Sequence, residues 1–246
     1  MIRTLVTGYG AWGRVLAAKA VKHPGFFVVG VHDPDARARR AAEEANLQPY
    51  HTLEDGLDHA RPELVIVATP PSVAPEAIIM SLSRYAHVLA AKPAAVTRAD
   101  ARRICATATG KNRSVTVDYT LTASSTWQHV KQSLPRIGEV RSISTTRTTQ
   151  PGRSTMPIID DLLVHDVALI LDAFPYAEWR VASSDDSPTH GRLVLDADGV
   201  RATLNGSRTT EQRRELVIEG STGTLLWEQS SDRVAIRQGD YLERFS

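Results

Sequence analysis

Thr4-Leu5-Val6-Thr7-Gly8-Tyr9-Gly10-Ala11-Trp12-Gly13-Arg14 is the stretch that decides the fold. An apolar run enters G-x-G-x-x-G, and a helical pattern follows at once. That order of strand, glycine turn and helix is what gives the motif its weight. Gly8 allows the tight turn out of the strand. Gly10 lets the backbone approach a pyrophosphate that a Cβ would exclude, and Gly13 lets the helix pack closely on the strand. A helix starting near Ala11, with Trp12 in its first turn, aims free N–H groups and its positive dipole end at phosphates. His23-Pro24-Gly25 stops that helix. Residues 26–32 then read as a second buried strand. It ends at Asp33, about 20 residues past the glycines, where an acid holds the adenosine ribose hydroxyls. A carboxylate there repels a 2′-phosphate, so the cofactor expected is NAD. Arg37 and Arg39 lie just downstream and leave NADP possible, their plainer role being solvated charge on the next helix.

The chain of 246 residues fits one large domain or two small ones, and its 42% apolar content is enough for a sizeable core. A net charge of +1, with no basic stripe interleaved with aromatics, argues against nucleic acid as a partner. No apolar run is long enough to span a membrane and no leader pattern is present, so we expect no membrane partner and a cytoplasmic location. The single cysteine, Cys105, excludes an internal disulfide framework and fits a reducing compartment. It sits in a helical pattern and is expected in the core. The 8 histidines show no metal-ligand spacing, so no metal is expected.

Residues 1–118 alternate strand and helix. Helices are expected over 35–45, 74–83 and 98–109, the last capped by Thr97. Strands are expected over 64–68, 87–90 and 114–117. The run Leu64-Val65-Ile66-Val67-Ala68 is apolar throughout, as a strand buried on both faces should be. Such alternation implies a doubly wound parallel sheet of the Rossmann type, whose ligands bind outside the carboxyl ends of the strands. Gly8 to Gly13, Asp33, Thr69-Pro70 and Lys92-Pro93 all fall at such ends.

Residues 119–246 change character. An extended stretch runs from about 137 to 150, one helix follows over 161–173, and strands then dominate. Asp198-Gly199 marks a two-residue hairpin turn, and Gly220-Ser221-Thr222-Gly223 links a second hairpin. This half reads as a small α+β domain with an open-faced antiparallel sheet. No later helix is left to cover that sheet, so a second copy of the chain is expected to do so, making a homo-oligomer.

Two constellations carry candidate chemistry. Lys92 stands at a strand end before a proline, where it can hold a substrate oxygen or relay a proton. A surface lysine is the alternative. Asp161 and His165 are four apart and share one face of a regular helix. The helix is apolar almost all round, so a buried acid and histidine there need partners or a function. Histidine suits the proton transfer that accompanies hydride transfer from an alcohol. The alternative is a helix cap at Asp160 or Asp161 and a core histidine. Tyr119 follows the last strand of the first half and faces either the substrate or a domain-junction core. Arg147 and Arg153 lead to the helix and can grip a carboxylate or phosphate, or lie solvated on a strand.

Taken together, these pieces resemble the glucose–fructose oxidoreductase / inositol dehydrogenase (Gfo/Idh/MocA) family. The matching residues are Gly8-Tyr9-Gly10-Ala11-Trp12-Gly13, Ala68-Thr69-Pro70, Ala91-Lys92-Pro93, Ile137-Gly138-Glu139-Val140, Asp161-x-x-x-His165 and Glu219-Gly220-Ser221-Thr222-Gly223-Thr224-Leu225. They keep the family's order over nearly the whole chain. Ala91 stands where the family usually has Glu, Pro71 where it often has Asn and Ala168 where it has a second Asp. The chain stops soon after the last hairpin, as in a C-terminally short member. The resemblance implies a Rossmann domain followed by an open-faced sheet, and NAD(P)-dependent hydride transfer on a small-molecule substrate of sugar or cyclitol type. It implies catalytic roles for Lys92, Asp161 and His165. Gly8, Gly10, Ala11, Trp12, Gly13, Asp33, Thr69, Pro70 and Lys92 are the expected cofactor-binding residues, and Tyr119, Arg147 and Arg153 the expected substrate-binding ones. Reduction of an imine in a biosynthetic pathway, or a dinucleotide-binding sensor without turnover, are the competing functions.

Overall fold

The computed structural model describes residues 1–152 and 154–245, Phe245 through its backbone only. The chain divides into two compact units, Met1–Asp118 and Tyr119–Ser246. The first is built from β1 (Ile2–Thr7), α1 (Ala11–Lys22), β2 (Phe26–His32), α2 (Ala36–Glu44), β3 (Pro49–Tyr50), α3 (Leu53–Ala60), β4 (Leu64–Val67), α4 (Ala74–Ser83), β5 (His87–Ala91), α5 (Arg98–Lys111) and β6 (Val115–Asp118). Its sheet runs β3-β2-β1-β4-β5-β6, and every pair in it is parallel. This is the doubly wound order, which reverses between β1 and β4 and opens a crevice there.

Alternation along the central strands explains the two layers. Leu5, Val65 and Val67 face a core shared with Leu57 of α3, Ile78 and Leu82 of α4 and Ile104 of α5. Their neighbours Val6 and Ile66 face the opposite core, with Leu16 and Ala17 of α1 and Ala38 and Ala42 of α2. The helix ends follow local chemistry. Asp35, Thr52 and Thr97 each accept a backbone N–H at the start of α2, α3 and α5.

The second unit contains α6 (Ser125–Ser133), β7 (Val140–Thr149), α7 (Val164–Ala173), β8 (Arg180–Asp186), β9 (His190–Ala197), β10 (Val200–Arg208), β11 (Arg214–Gly220), β12 (Thr224–Glu228), β13 (Arg233–Gln238) and β14 (Tyr241–Phe245). A π-helical turn, Ile159–Leu163, runs directly into α7. The sheet order is β14-β13-β12-β11-β7-β10-β9-β8. The turn between β9 and β10 has positive φ at both Asp198 and Gly199, the geometry that matches strand twist in a two-residue hairpin. One sheet face is covered: Ile143, Leu195, Leu204, Ile218, Leu225 and Ile236 pack with Trp127 and Val130 of α6 and with Leu169 and Ile170 of α7. Trp127 and Trp227, both fully buried, stack with ring centroids 5.7 Å apart.

Several expectations change. The second sheet is antiparallel as expected except at one pair, β7 and β10, which run parallel. One of its faces is covered by the chain's own α6 and α7 and not by a second copy: α6 is fixed to α7 through Asp172, which accepts from Trp127 Nε1 at 2.7 Å and lies 2.8 Å from Lys131 Nζ. Burial works against the ionised Asp172, but those two hydrogen bonds and the lysine charge outweigh it and hold the carboxyl below its usual range. Cys105 is exposed on α5, not in the core. The helix carrying His165 is not buried all round, since Leu171 is 48% exposed. Among the described residues no helix is long and apolar enough to cross a membrane, and no group of three or more His, Cys, Asp or Glu side chains is placed to hold a metal.

Replacing Trp227 with alanine empties the centre of the second core, and urea unfolding should show a loss of about 3–5 kcal/mol. A pH effect comes from His32, whose Nδ1 lies 2.8 Å from Thr7 Oγ1. Burial lowers its affinity for a proton; the Asp33 charge opposes this, and Arg39 and His51 add to it. Between that lowered folded midpoint and the unfolded value near 6.5, the unfolded chain binds more protons. Stability is therefore complete above that unfolded value and declines as pH falls through this window. Thermal midpoints at several pH values should show this acid loss in the wild type, and a shallower one in His32→Gln.

Candidate functional site

The crevice of the first unit is assembled from strand ends. Gly8 leaves β1 with φ +85°, and a Cβ on it would lie 2.6 Å from the carbonyl oxygen of Ala68. A Cβ on Gly13 would lie 1.8 Å from the carbonyl oxygen of Gly8, so only glycine lets α1 start this close to the strand. Gly10 differs, because nothing lies within 4 Å of a Cβ built on it. Helix α1 begins there with no side-chain cap and no acid in its first turn. Its first N–H groups and dipole face an open space, the arrangement that binds phosphate.

Around that space is a cavity of about 590 Å³, lined by Thr7, Gly8, Gly10, His32, Asp33, Ala68, Thr69 and Pro70 among others. The Asp33 carboxylate accepts Tyr9 N–H at 2.7 Å and Asp35 N–H at 2.8 Å. Both oxygens are thereby fixed and keep lone pairs for ribose hydroxyls. Arg39 Nη1 donates to the carbonyl oxygens of Asp33 and Pro34, each at 2.8 Å, so this arginine clasps the turn after β2. The Thr69 hydroxyl is buried without a hydrogen-bond partner, at a cost that a ligand group would relieve. An adenosine ribose and a pyrophosphate therefore fit the residues present. Ala11 and Trp12 open α1 at the crevice, Trp12 being 45% exposed. Lys92 is half-buried, just past β5.

The second unit has its own pocket, about 210 Å³, lined by Thr120, Leu121, Arg147, Thr148, Thr149, Leu162, His165 and Arg214. The Tyr119 ring stands edge-on to His165, with centroids 6.5 Å apart. Burial raises the Tyr119 phenol above its ordinary value, so at neutral pH it is a hydrogen-bond donor. The π-turn that leads to His165 is seated by two glycines paired across β9 and β10, Gly191 and Gly206. A Cβ on either would collide with Ile158, at 2.8 and 2.5 Å. Ile159 N–H also donates to Asp186 Oδ1 at 3.1 Å.

The structure revises what the acids and arginines of this unit do. The regular helical spacing expected from Asp161 to His165 is interrupted by the π-turn. The Asp161 carboxylate meets Arg208 Nη2 at 2.6 Å. Arg147 is bound at both ends of its fork to Asp166, Nε to Oδ2 at 2.9 Å and Nη2 to Oδ1 at 2.7 Å, and Nη2 also reaches Gln229 Oε1 at 2.9 Å. That pair is buried, and removing one partner from such a pair costs about 3–5 kcal/mol. Arg147 thus lines the pocket with its charge already offset. Arg153 lies outside the described residues. Sequence reading missed Arg208, Gln229, His32 and the Asp166 pairing. Only Asp166 left a trace, as an acid in an apolar helix that needs a cation.

Residues 2–119 match the family described as "Oxidoreductase family, NAD-binding Rossmann fold" (GFO_IDH_MocA). A curated relative, an uncharacterized oxidoreductase of Streptococcus pneumoniae, is 26% identical over 149 residues. The match covers 60% of this chain and 40% of that protein's length. Among solved structures, a 3-ketoreductase from Actinomadura kijaniata in complex with TDP-benzene and NADP superposes with TM-score 0.87 at 23% identity, covering 99% of this chain and 83% of that one. A UDP-N-acetylglucosamine 3-dehydrogenase from Acidithiobacillus ferrooxidans gives TM-score 0.86 at 20% identity, with 100% and 82% covered. At these identities the two structures speak to the fold. Residues 2–119 thus match, by family model and by fold, the NAD-binding Rossmann domain of the Gfo/Idh/MocA oxidoreductases.

Proposed function

We propose that the chain is an NAD(P)-dependent oxidoreductase acting on a small polar substrate, a hydroxyl or carbonyl of sugar or cyclitol type. The observation that carries the reading is the open position at Gly10 in front of an uncapped helix. The Asp33 carboxylate and the orphaned Thr69 hydroxyl line the same crevice. Gly8 and Gly13 shape the turn, Gly10, Ala11 and Trp12 offer backbone N–H groups to the pyrophosphate, and Thr69 and Pro70 line the wall. Asp33 supports NAD, because a 2′-phosphate would meet its charge, while Arg39 is already engaged by two carbonyls.

When bound, the nicotinamide exchanges a hydride with a substrate carbon. His165 gives or takes the proton on the substrate oxygen, the role for which an imidazole is suited. Lys92 polarises the reacting group. Tyr119 donates a hydrogen bond, and Thr120 and Thr149 offer hydroxyls to a hydroxylated substrate, with Arg147 beside them. The 3-ketoreductase and the sugar-nucleotide dehydrogenase that share the fold support this substrate class. A second copy of the chain would pack on the sheet face opposite α6 and α7. Val217, Leu226 and Ala235 alternate there with the buried Leu216, Leu225 and Val234.

Calorimetric titration with NADH and NADPH tests the cofactor site. NADH should bind, and Gly10→Val should weaken it roughly tenfold or more while leaving Tm within about 2 °C, since the new side chain meets ligand space and no protein atom. Equal affinity in Gly10→Val would sink this placement of the pyrophosphate. With a sugar or cyclitol substrate that turns over, His165→Ala or Lys92→Ala should lower kcat about 10²–10⁴-fold with NADH affinity unchanged. Loss of NADH binding in either variant would overturn the role assignment.

A further inference from the structure

We propose that His32 is a specificity-determining residue of the dinucleotide crevice: Thr7 holds it in its neutral form, which leaves the Asp33 carboxylate uncovered against a 2′-phosphate, and a proton on His32 relaxes that discrimination. This rests on the reading of the crevice as a dinucleotide site and extends it to the choice between NAD and NADP.

Thr7 ends β1, His32 ends β2, and the two are partners in register. Thr7 is fully buried, and its Oγ1 lies 2.8 Å from His32 Nδ1. Among the described residues this is the one hydrogen bond that hydroxyl makes. A buried O–H needs an acceptor. The neutral imidazole supplies one at Nδ1 when its proton sits on Nε2. An imidazolium supplies none, because Nδ1 would then bring a proton of its own and leave the Thr7 O–H without an acceptor, at a cost. The contact therefore selects the neutral ring. His32 is half-buried, and it lines the same cavity as Gly10, Asp33 and Thr69.

The charge of that ring matters because little else covers Asp33. Its carboxylate is held by two backbone N–H groups, those of Tyr9 and Asp35. Arg39 gives Nη1 to the carbonyl oxygens of Asp33 and Pro34, not to the carboxylate. A proton on His32 would add a unit positive charge to the wall that a 2′-phosphate meets, where water is partly excluded and charges act more strongly. The groups around His32 oppose that proton on balance. Burial favours the neutral ring; Asp33 favours the proton, while Arg39 of α2 and His51 beyond β3 oppose it. Tyr50 of β3 is the register partner of His32 on its other side. Helix α3 brings Glu54 and Asp55 in its first turn, and α4 brings Glu76, already paired with Arg103 at 2.8 Å. Helix α1 packs on the opposite face, with Val31.

Calorimetric titration with NAD⁺ and NADP⁺, at about pH 8 and about pH 5, on the wild type and on His32→Gln tests this. Glutamine stays neutral at both pH values and still offers Thr7 an acceptor. The 2′-phosphate itself takes up a proton with a pKa of about 6, so part of the change is common to both chains. Between the two pH values the preference for NAD⁺ should fall about threefold or more further in the wild type than in His32→Gln. An equal fall in a folded His32→Gln overturns the proposal. If His32→Gln does not fold, proton NMR titration of the His32 ring in the wild type answers instead. By reciprocity, saturating NADP⁺ should raise its midpoint about half a pH unit or more above the midpoint in NAD⁺; equal midpoints sink the idea. Binding of neither nucleotide overturns the crevice reading and this proposal together, whereas binding of both without an effect of His32 overturns this proposal alone.

Discussion

A Cβ at position 13 would come within 1.8 Å of the Gly8 carbonyl oxygen. That constraint governs the whole N-terminal unit. Because Gly13 has no side chain, α1 begins directly against β1. Gly8, turned to positive φ, lets the chain leave β1 beneath the Ala68 carbonyl. The helix start is therefore pinned at the point where strand order reverses. No side chain caps it, since Gly10 has none to offer. The N–H groups that a protein normally satisfies at a helix start are left facing the crevice, the arrangement that suits a phosphate.

The second unit reaches its site by different means. Its pocket is not formed by backbone alone. It depends on a helix whose first turn is widened and whose side chains are tied to the sheet. Gly191 and Gly206 lie opposite each other in β9 and β10, and their missing side chains make the hollow into which Ile158 settles. Two arginines then fasten acids on the same segment: Arg208 takes Asp161, and Arg147 takes Asp166. His165 lies between the two fastened acids in sequence. In this unit, position is set by packing at the glycines and by charge at the arginines.

The sequence carried most of the first unit because its signals are local. Gly8 to Gly13, the stop at His23-Pro24-Gly25 and the caps at Thr97 and Asp35 each act within a few residues. In the second unit, Asp198-Gly199 was equally legible, since both residues must take positive φ and few pairs do so readily. What escaped has no local signature. Strand β8 is exposed along its whole length and shows no alternation; only the ladder to β9 makes it a strand. Helix α6 carries just Trp127 and Val130 as strong apolar anchors, spaced at three, among polar residues. The β7–β10 parallel pairing joins residues 59 apart, and the π-turn arises where Ile158 is drawn onto glycines far along the chain. Cys105 shows the reverse error: a helical pattern fixed its element but not which side of the helix faces the core.

The charged pairs explain why residue type alone misled most at the pocket. An arginine on an extended stretch near a catalytic-type helix reads equally as a substrate grip or a solvated charge. Arg147 is neither in the first instance, because Asp166 claims both prongs of its fork at hydrogen-bond distance. Burial decides the matter: an arginine beneath a pocket cannot be left without a counter-ion, and an acid on an apolar helix cannot be left without a cation. Each solves the other's problem, over 19 residues in one case and 47 in the other. The pocket therefore meets a ligand with these charges already balanced.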